Sequence, residues 1–303
     1  MSLRGMELPK SKLEEPTSKR TRFEEYSYAA CLRNSEKVVW RVDDVLPAST
    51  TLDPALPLWP AEFTPRLQGL TAPEAKTANQ LFGLTYIHLL AFVEEYIIVM
   101  AARHAHAEVF GDNTALRALL RFSEEEIKHQ TLFRRYLEFY ARHFGRIEAI
   151  KNPVEIASVI LEHAPMAVLL ITIHLELLTQ HHYKAAIKNS LELEPAFVSV
   201  LKHHWLEESH HAKLGVLELL RLVDTSSEEE RREAYASYLR ILNSMGELFR
   251  EQGEMNAAEL SQRFGHSLED GAGEKIAAGY QHIFGTMIRD NKVFSELLTL
   301  FPR

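Results

Sequence analysis

The strongest constraint on this chain is a Glu-x-x-His spacing that occurs twice, as Glu126-Ile127-Lys128-His129 and as Glu208-Ser209-His210-His211, each inside a long run of helical periodicity. On an α-helix, residues three and four apart share a face, so each pair directs a carboxylate and an imidazole the same way. The second pair is preceded by His204, one turn before Glu208. Placing residues at about 100° per position sets His204, Glu208 and His211 beside Phe197, Leu201, Ala212, Gly215, Leu219 and Leu222. The competing triplet of His203, Glu207 and His210 falls with Lys202, Lys213 and Glu218, which predicts a solvated face. A carboxylate and two imidazoles on a buried face are costly unless paired or bound to a cation. The apolar-side triplet therefore reads as a metal-ligand face, against the plainer reading of a His-rich solvated surface near a helix end.

Any metal here must be held by oxygen and nitrogen. The single cysteine, Cys31, excludes a disulfide framework and a thiolate cage, and it fits a reducing, cytoplasmic setting. A net charge of −8 with no basic stripe argues against a nucleic-acid footprint. With 303 residues, 46% hydrophobic and 25% charged, the composition is that of an ordinary soluble globular protein with one large or two smaller domains. The opening has no apolar signal-peptide core. The very apolar run from Ile87 to Ala102 is interrupted by Glu94 and Glu95, which suits a buried bundle helix better than a membrane span.

Residues 1–71 are expected to be a mobile arm to about Tyr28, then an irregular Pro-rich segment that docks through Trp40, Trp59 and Phe63, with a short strand possible near Lys37 to Val42. Residues 72–223 carry long helical patterns. Thr71 caps a first helix with Pro73 and Glu74 in its opening turn, running to about Val109. The second runs from Asn113 to Phe144 and ends at Gly145. The third begins at Pro153 and reaches about Leu191, kinked or split at Pro165. The fourth follows Pro195 to about Val223. Residues 224–303 then supply added helices: one capped by Ser226 or Ser227 through about Gln252, and shorter ones at Ala257 to Phe264 and Gly273 to Phe301. The architecture is an up-and-down helical bundle with additions.

The first helix offers Glu94 or Glu95, of which Glu94 lies amid Ile87, Leu90, Ile97 and Ala101. The third offers Glu176 in a run otherwise nearly free of charge, with His174 a weaker candidate. In helix order the pattern is Glu, Glu-x-x-His, Glu, Glu-x-x-His, the arrangement by which a bundle core holds two iron or manganese ions. Hard carboxylates suit high positive charge and imidazoles suit iron. On Glu94, Glu126, His129, Glu176, Glu208 and His211 the sequence resembles the ferritin-like di-iron carboxylate proteins, over roughly residues 72–223. The resemblance implies an all-α fold: a ferritin-like four-helix bundle with additional C-terminal helices and an irregular N-terminal segment.

His204 adds a narrower likeness. The spacing His-x-x-x-Glu-x-x-His on the last bundle helix resembles the p-aminobenzoate N-oxygenase group, which implies His204 as a seventh ligand; the alternative is a core imidazole beside a ligand. No substrate-binding signature of that group is recognised outside the ligands, and the Pro165 kink departs from it. The implied function is a di-iron oxygenase that uses dioxygen and an electron donor to oxidise a small organic substrate, N-oxygenation of an arylamine included. A di-iron hydroxylase or desaturase, or a non-enzymatic iron storage or sensing protein, are the competing readings. Gln180, His182 and Tyr183 are candidates to touch the ligands, whereas His181, His182, His203 and His210 can equally decorate the outside. The added helices suggest a homodimer; neither a membrane nor a nucleic-acid partner is expected.

Overall fold

The structure is a computed structural model that describes residues 23–61, 64–286 and 291–302. The expected arm before Tyr28 falls largely outside the described residues, as does Phe63. The described residues are helical and contain no strand. The elements are α1 (Tyr28–Lys37), α2 (Val42–Val45), α3 (Ala72–Ala107), α4 (Asn113–Phe144), α5 (Pro153–Glu162), α6 (Pro165–His182), α7 (Pro195–Thr225), α8 (Glu228–Phe264), α9 (Ala272–Thr286) and α10 (Lys292–Leu298). Helices α3, α4, α6 and α7 form the bundle, with α3 packed along α4 and α6 along α7. α8 lies on α6 and α3 with α9 against it, and α1 crosses both α4 and α7.

Local chemistry sets the boundaries. Glu74 accepts the Thr71 backbone N–H at 2.8 Å, which fixes the start of α3. Asp112 accepts the Thr114 N–H at 2.7 Å to open α4, and Gly145 closes it at φ 84°. Pro165 splits the third helical region into α5 and α6, with His163 and Ala164 extended between them. α6 ends in a single π-helical turn over Tyr183–Ile187. By length and composition α3 could cross a membrane, but 78% of its most apolar window is buried in the protein, as a core helix requires.

Three expectations need correction. The segment expected to be irregular contains α1, opened by Ser27 and burying Cys31, Leu32 and Ser35, and no strand forms at Lys37 to Val42. α8 runs unbroken to Phe264 instead of stopping near Gln252. Gly253 does not break that helix; it lets α9 approach so closely that a Cβ there would lie 2.3 Å from the Gly273 carbonyl oxygen. The final stretch is two helices, α10 being opened by Asn291, which accepts the Val293 and Phe294 N–H groups. The Pro-rich segment docks as its aromatics suggest. Trp59 is fully buried, and the backbone around it, lacking regular partners, is satisfied by Asn79 and Gln80 of α3. Buried apolar residues from Phe23 to Phe301 make one continuous core.

Candidate metal centre

Each bundle helix turns acid into the core. Glu94 (α3), Glu126 and His129 (α4), Glu176 (α6), and His204, Glu208 and His211 (α7) are all at most 3% exposed. His129 Nδ1 lies 3.2 Å from Glu126 Oε2 and 3.5 Å from Glu208 Oε1. His211 Nδ1 lies 2.8 Å from Glu126 Oε1 and 3.5 Å from Glu208 Oε1. His204 Nε2 sits 3.1 Å from both Glu94 Oε1 and Glu208 Oε1. Glu176 stands beside Glu208. Glu95, the alternative to Glu94, turns outward to Arg134 at 2.9 Å, and His174 is held away by the Tyr238 hydroxyl and the Phe284 carbonyl.

These groups are poorly satisfied by one another. Glu126 Oε1, Glu208 Oε1, both Glu176 oxygens and His211 Nδ1 are buried without a hydrogen bond. Buried polar atoms are almost always paired, and here the unmatched ones converge. Among the described residues three groups of side chains place one donor atom each within 4.8 Å of one another: Glu126, His129, Glu208 and His211; Glu94, His129 and His204; and, on the outer side, Glu125, His210 and His211. Burial, and then the charge of Glu126, drives the Glu94 carboxyl well above its usual range; burial and the charge of Glu208 do the same to Glu176. Four carboxylates this close cannot all ionise without added positive charge. Oxygen and imidazole donors in this number and spacing fit two divalent or trivalent ions of the iron or manganese kind.

A further ring of residues, not anticipated from sequence, holds the imidazoles. His211 Nε2 donates to Glu125 Oε2 at 2.9 Å, and His129 Nε2 donates to Glu207 Oε2 at 2.8 Å. The carboxylate just before Glu126 on α4 thus orients the histidine of α7, and the one just before Glu208 on α7 orients the histidine of α4. This exchange leaves Nδ1 of each ring facing the centre and makes it a better donor. Burial alone would depress His129, but hydrogen bonds to Glu126 and Glu207 bring it up to about 9, so protons and metal compete for the same ring. Ser35 of α1 donates to Glu125 Oε1 at 2.6 Å, His210 Nε2 donates to Glu125 Oε2 at 2.8 Å, and Lys128 Nζ donates to Glu207 Oε1 at 2.5 Å.

The expectation that His203, Glu207 and His210 form a solvated face is therefore wrong for two of the three. Glu207 and His210 are at most 1% exposed, and His203 is half-buried. Placing one apolar stripe on α7 assumed a single buried side, but α1 covers a second. The doubled acid, Glu125-Glu126-x-x-His129 and Glu207-Glu208-x-x-His211, was the available signal. Of the other candidates, Gln180 donates to the Glu208 carbonyl at 3.1 Å and Tyr183 stacks on Trp205. His182 is not outward; it lies buried between Trp59 and Tyr86.

A cavity of about 830 Å³ opens between α3, α5, α6 and α8; none of the inward acids and histidines lines it, and Tyr96, which does, reaches toward them. Leu89, Phe92 and Tyr96 of α3, Ile156 and Ile160 of α5, Ile171 and Leu175 of α6, and Met245, Phe249 and Met255 of α8 line it, and charged pairs such as Lys151 with Glu251 sit at its rim. Tyr96 is the partition. Its ring lines the cavity, while its buried hydroxyl lies near Thr172, Glu176 and Glu94 and is pushed far up by burial.

No protein-family model and no curated protein matches the chain. Solved structures do. One variant of an R2-like ligand-binding oxidase with an aerobically reconstituted Mn/Fe cofactor superimposes with a TM-score of 0.51 at 15% identity, over 88% of this chain and 93% of that one. A second variant, anaerobically reconstituted with Mn/Fe, gives 0.51 at 16% identity over 92% and 94%. At this identity the likeness is one of fold: the chain has the ferritin-like helical architecture of these proteins.

Proposed function

We propose that this protein is an oxidase with a two-metal centre, di-iron or mixed manganese and iron, that oxidises a small, largely apolar organic molecule. The observation that carries this reading is the apolar cavity ending at Tyr96, one side chain away from the converging carboxylates. The fold shared with proteins named as Mn/Fe ligand-binding oxidases supports it. Glu94, Glu126, His129, Glu176, Glu208 and His211 would hold the metals, with His204 as a further ligand. When bound, the metal pair supplies the redox chemistry by which dioxygen is reduced and the substrate oxidised.

The chain's own groups set the conditions for that chemistry. Glu125 and Glu207 fix the tautomer and direction of the two imidazoles. Glu94 and Glu176 come from the cavity side, which therefore presents only carboxylates to a substrate, while the histidines lie on the far side. Leu89, Ile171 and Leu175 exclude water from the inner end of the cavity. The narrower likeness to N-oxygenases makes arylamines the first class to test. A storage or sensing role has no use for such a cavity, and it becomes the outcome if no organic molecule is turned over.

The deciding experiment is metal content per chain after purification without chelators, followed by anaerobic reduction and oxygen addition with and without anilines of increasing bulk. About two metal ions per chain and oxygen uptake that depends on an organic molecule support an oxidase. A single zinc, or oxygen uptake indifferent to every organic compound, sinks it.

A further inference from the structure

A second hollow lies on the flank of α3 that faces α4. It is a groove of about 710 Å³ between the two helices, bordered by the 145–153 segment that leads into α5. Antiparallel helices ordinarily fill such a seam with large apolar side chains, but Ala91 of α3 and Ala141 of α4 leave this one open. Leu84, Phe92, Leu137, Ile147 and Ile150 give it an apolar lining. Its size is that of a site for a small organic molecule. Phe92 also borders the cavity that ends at Tyr96, so one ring stands between the two hollows.

Three observations point to an occupant. His88 opens into the groove from an otherwise apolar stretch of α3 and has no hydrogen-bond partner among the described residues. Burial alone lowers it to about 4, so at neutral pH it is an uncharged ring with an N–H to give. A polar group so placed is rarely left unmatched. The charge at the rim runs against that of the whole chain, which is −8. Arg134, Arg142 and Arg146 face only Glu95 and Glu138 there, and Glu95 is already engaged by Arg134 at 2.9 Å. Arg142 and Arg146 are exposed, without an acidic partner among the described residues, and Arg142 lies 4.8 Å over the Phe139 ring. Finally, Ile150 and Asn152 hold φ of 57° and 53°, a region that a β-branched residue seldom enters. Gln252 of α8 accepts the Ile150 N–H at 2.8 Å and keeps that side chain buried against the groove. Backbone strain maintained in this way gathers at ligand clamps.

We propose that the groove between α3 and α4 is a second ligand site, distinct from the cavity at Tyr96, that binds an organic anion with an apolar body. The body lies on Leu84, Phe92, Leu137 and Ile150, the anionic head meets Arg142 and Arg146 at the rim, and His88 donates to an acceptor on the ligand. Guanidinium forks bind a carboxylate and a phosphate monoester alike, so both heads belong to the class. The site uses none of the metal-facing residues and does not depend on the metal-centre reading.

The test titrates the full chain by calorimetry with four probes that share one body: naphthoate, naphthyl phosphate, naphthol and naphthylmethylammonium. At least one anion should bind about tenfold more tightly than naphthol, with the cation weaker still; binding by only one of the two anions identifies the head. Arg142→Glu combined with Arg146→Glu changes only exposed positions and should weaken anion binding by about tenfold or more. Ala141→Leu should block every probe by filling the seam. Val93→Trp, which narrows the other cavity, should leave anion binding within about twofold. His88→Leu should weaken anion binding by about fivefold while the unfolding midpoint of the free protein stays the same or rises, because an unmatched polar group is removed. The proposal is overturned if naphthol or the cation binds as tightly as both anions, or if no probe binds. It is equally overturned if anion binding survives the double arginine reversal but is lost in Val93→Trp, which would put the probe in the cavity at Tyr96. A lowered midpoint with unchanged binding in His88→Leu would make His88 a packing residue and remove it from the site.

Discussion

The two sides of the bundle are built from the same residue type and treat it differently. On the α4 and α7 side each carboxylate facing the centre comes with an imidazole, a preceding acid that orients the imidazole on the other helix, and a link outward to α1 or Lys128. On the α3 and α6 side Glu94 meets the His204 imidazole at 3.1 Å, but neither Glu94 nor Glu176 has a neighbouring acid that braces a histidine from behind; burial drives both toward the neutral form, and an apolar cavity lies on their side of the bundle. One side is braced and the other is left adaptable. A centre that must keep its metals while admitting a substrate needs that inequality: rigidity belongs with the histidines and freedom with the carboxylates next to the cavity.

The largest effects should come from the braced side. Glu208→Ala or His129→Ala removes a donor at the crowded core of the cluster and should reduce metal affinity by more than about a hundredfold, measured as metal per chain after dialysis. The chelated wild-type protein should melt at a lower temperature than the loaded one, because metal bound only to the native state stabilises it by mass action. A full metal complement in either variant would show that these side chains meet for some reason other than metal.

Glu125→Gln and Glu207→Gln test the bracing itself. Each keeps shape and removes the charge that holds an imidazole, and metal affinity should fall by about ten- to a hundredfold, with the two variants alike because the exchange between α4 and α7 is reciprocal. The same measurement on Glu207→Ala distinguishes this geometry from the solvated face that the helical-wheel argument predicts, since a solvated Glu207 would leave metal binding unchanged. On the cavity side, Val93→Trp should fill space that an organic probe would use. Binding of aniline or toluene should weaken by about tenfold or more while metal content is retained, overpacking in a pre-existing cavity being cheaper than in a sealed core.

What the sequence could reveal follows the same division. The bundle helices were legible because their start and stop signals are local: Thr71 with Glu74, Pro165, and Gly145 at its positive φ act within one turn of themselves. The inward acids were legible because helical spacing and apolar neighbours are properties of a single helix. Glu125, Glu207 and Ser35 were not, since their roles depend on which helix crosses which. Nothing in Tyr28–Lys37 announces that it will lie over α4 and α7, and without that covering helix Glu207 and His210 look solvated. The unbroken course of α8 past Gln252 was hidden for the same reason, since Gly253 there serves the close approach of α9.

The smallest predicted effect is also informative. Glu94 and Glu95 are neighbours on α3, about 100° apart around the helix, and that rotation alone sends one to the cluster and the other to Arg134. The Glu95 side chain is 31% exposed and its arginine partner 58%, so the pair is screened by solvent and worth at most about 1 kcal/mol. Glu95→Gln should leave metal content unchanged and shift the unfolding midpoint in urea by little more than experimental error, whereas Glu94→Gln, the same change one residue earlier, should cost metal. If the two variants lose metal equally, the face of α3 that meets the centre has been misplaced, and with it the claim that the cavity side carries only carboxylates.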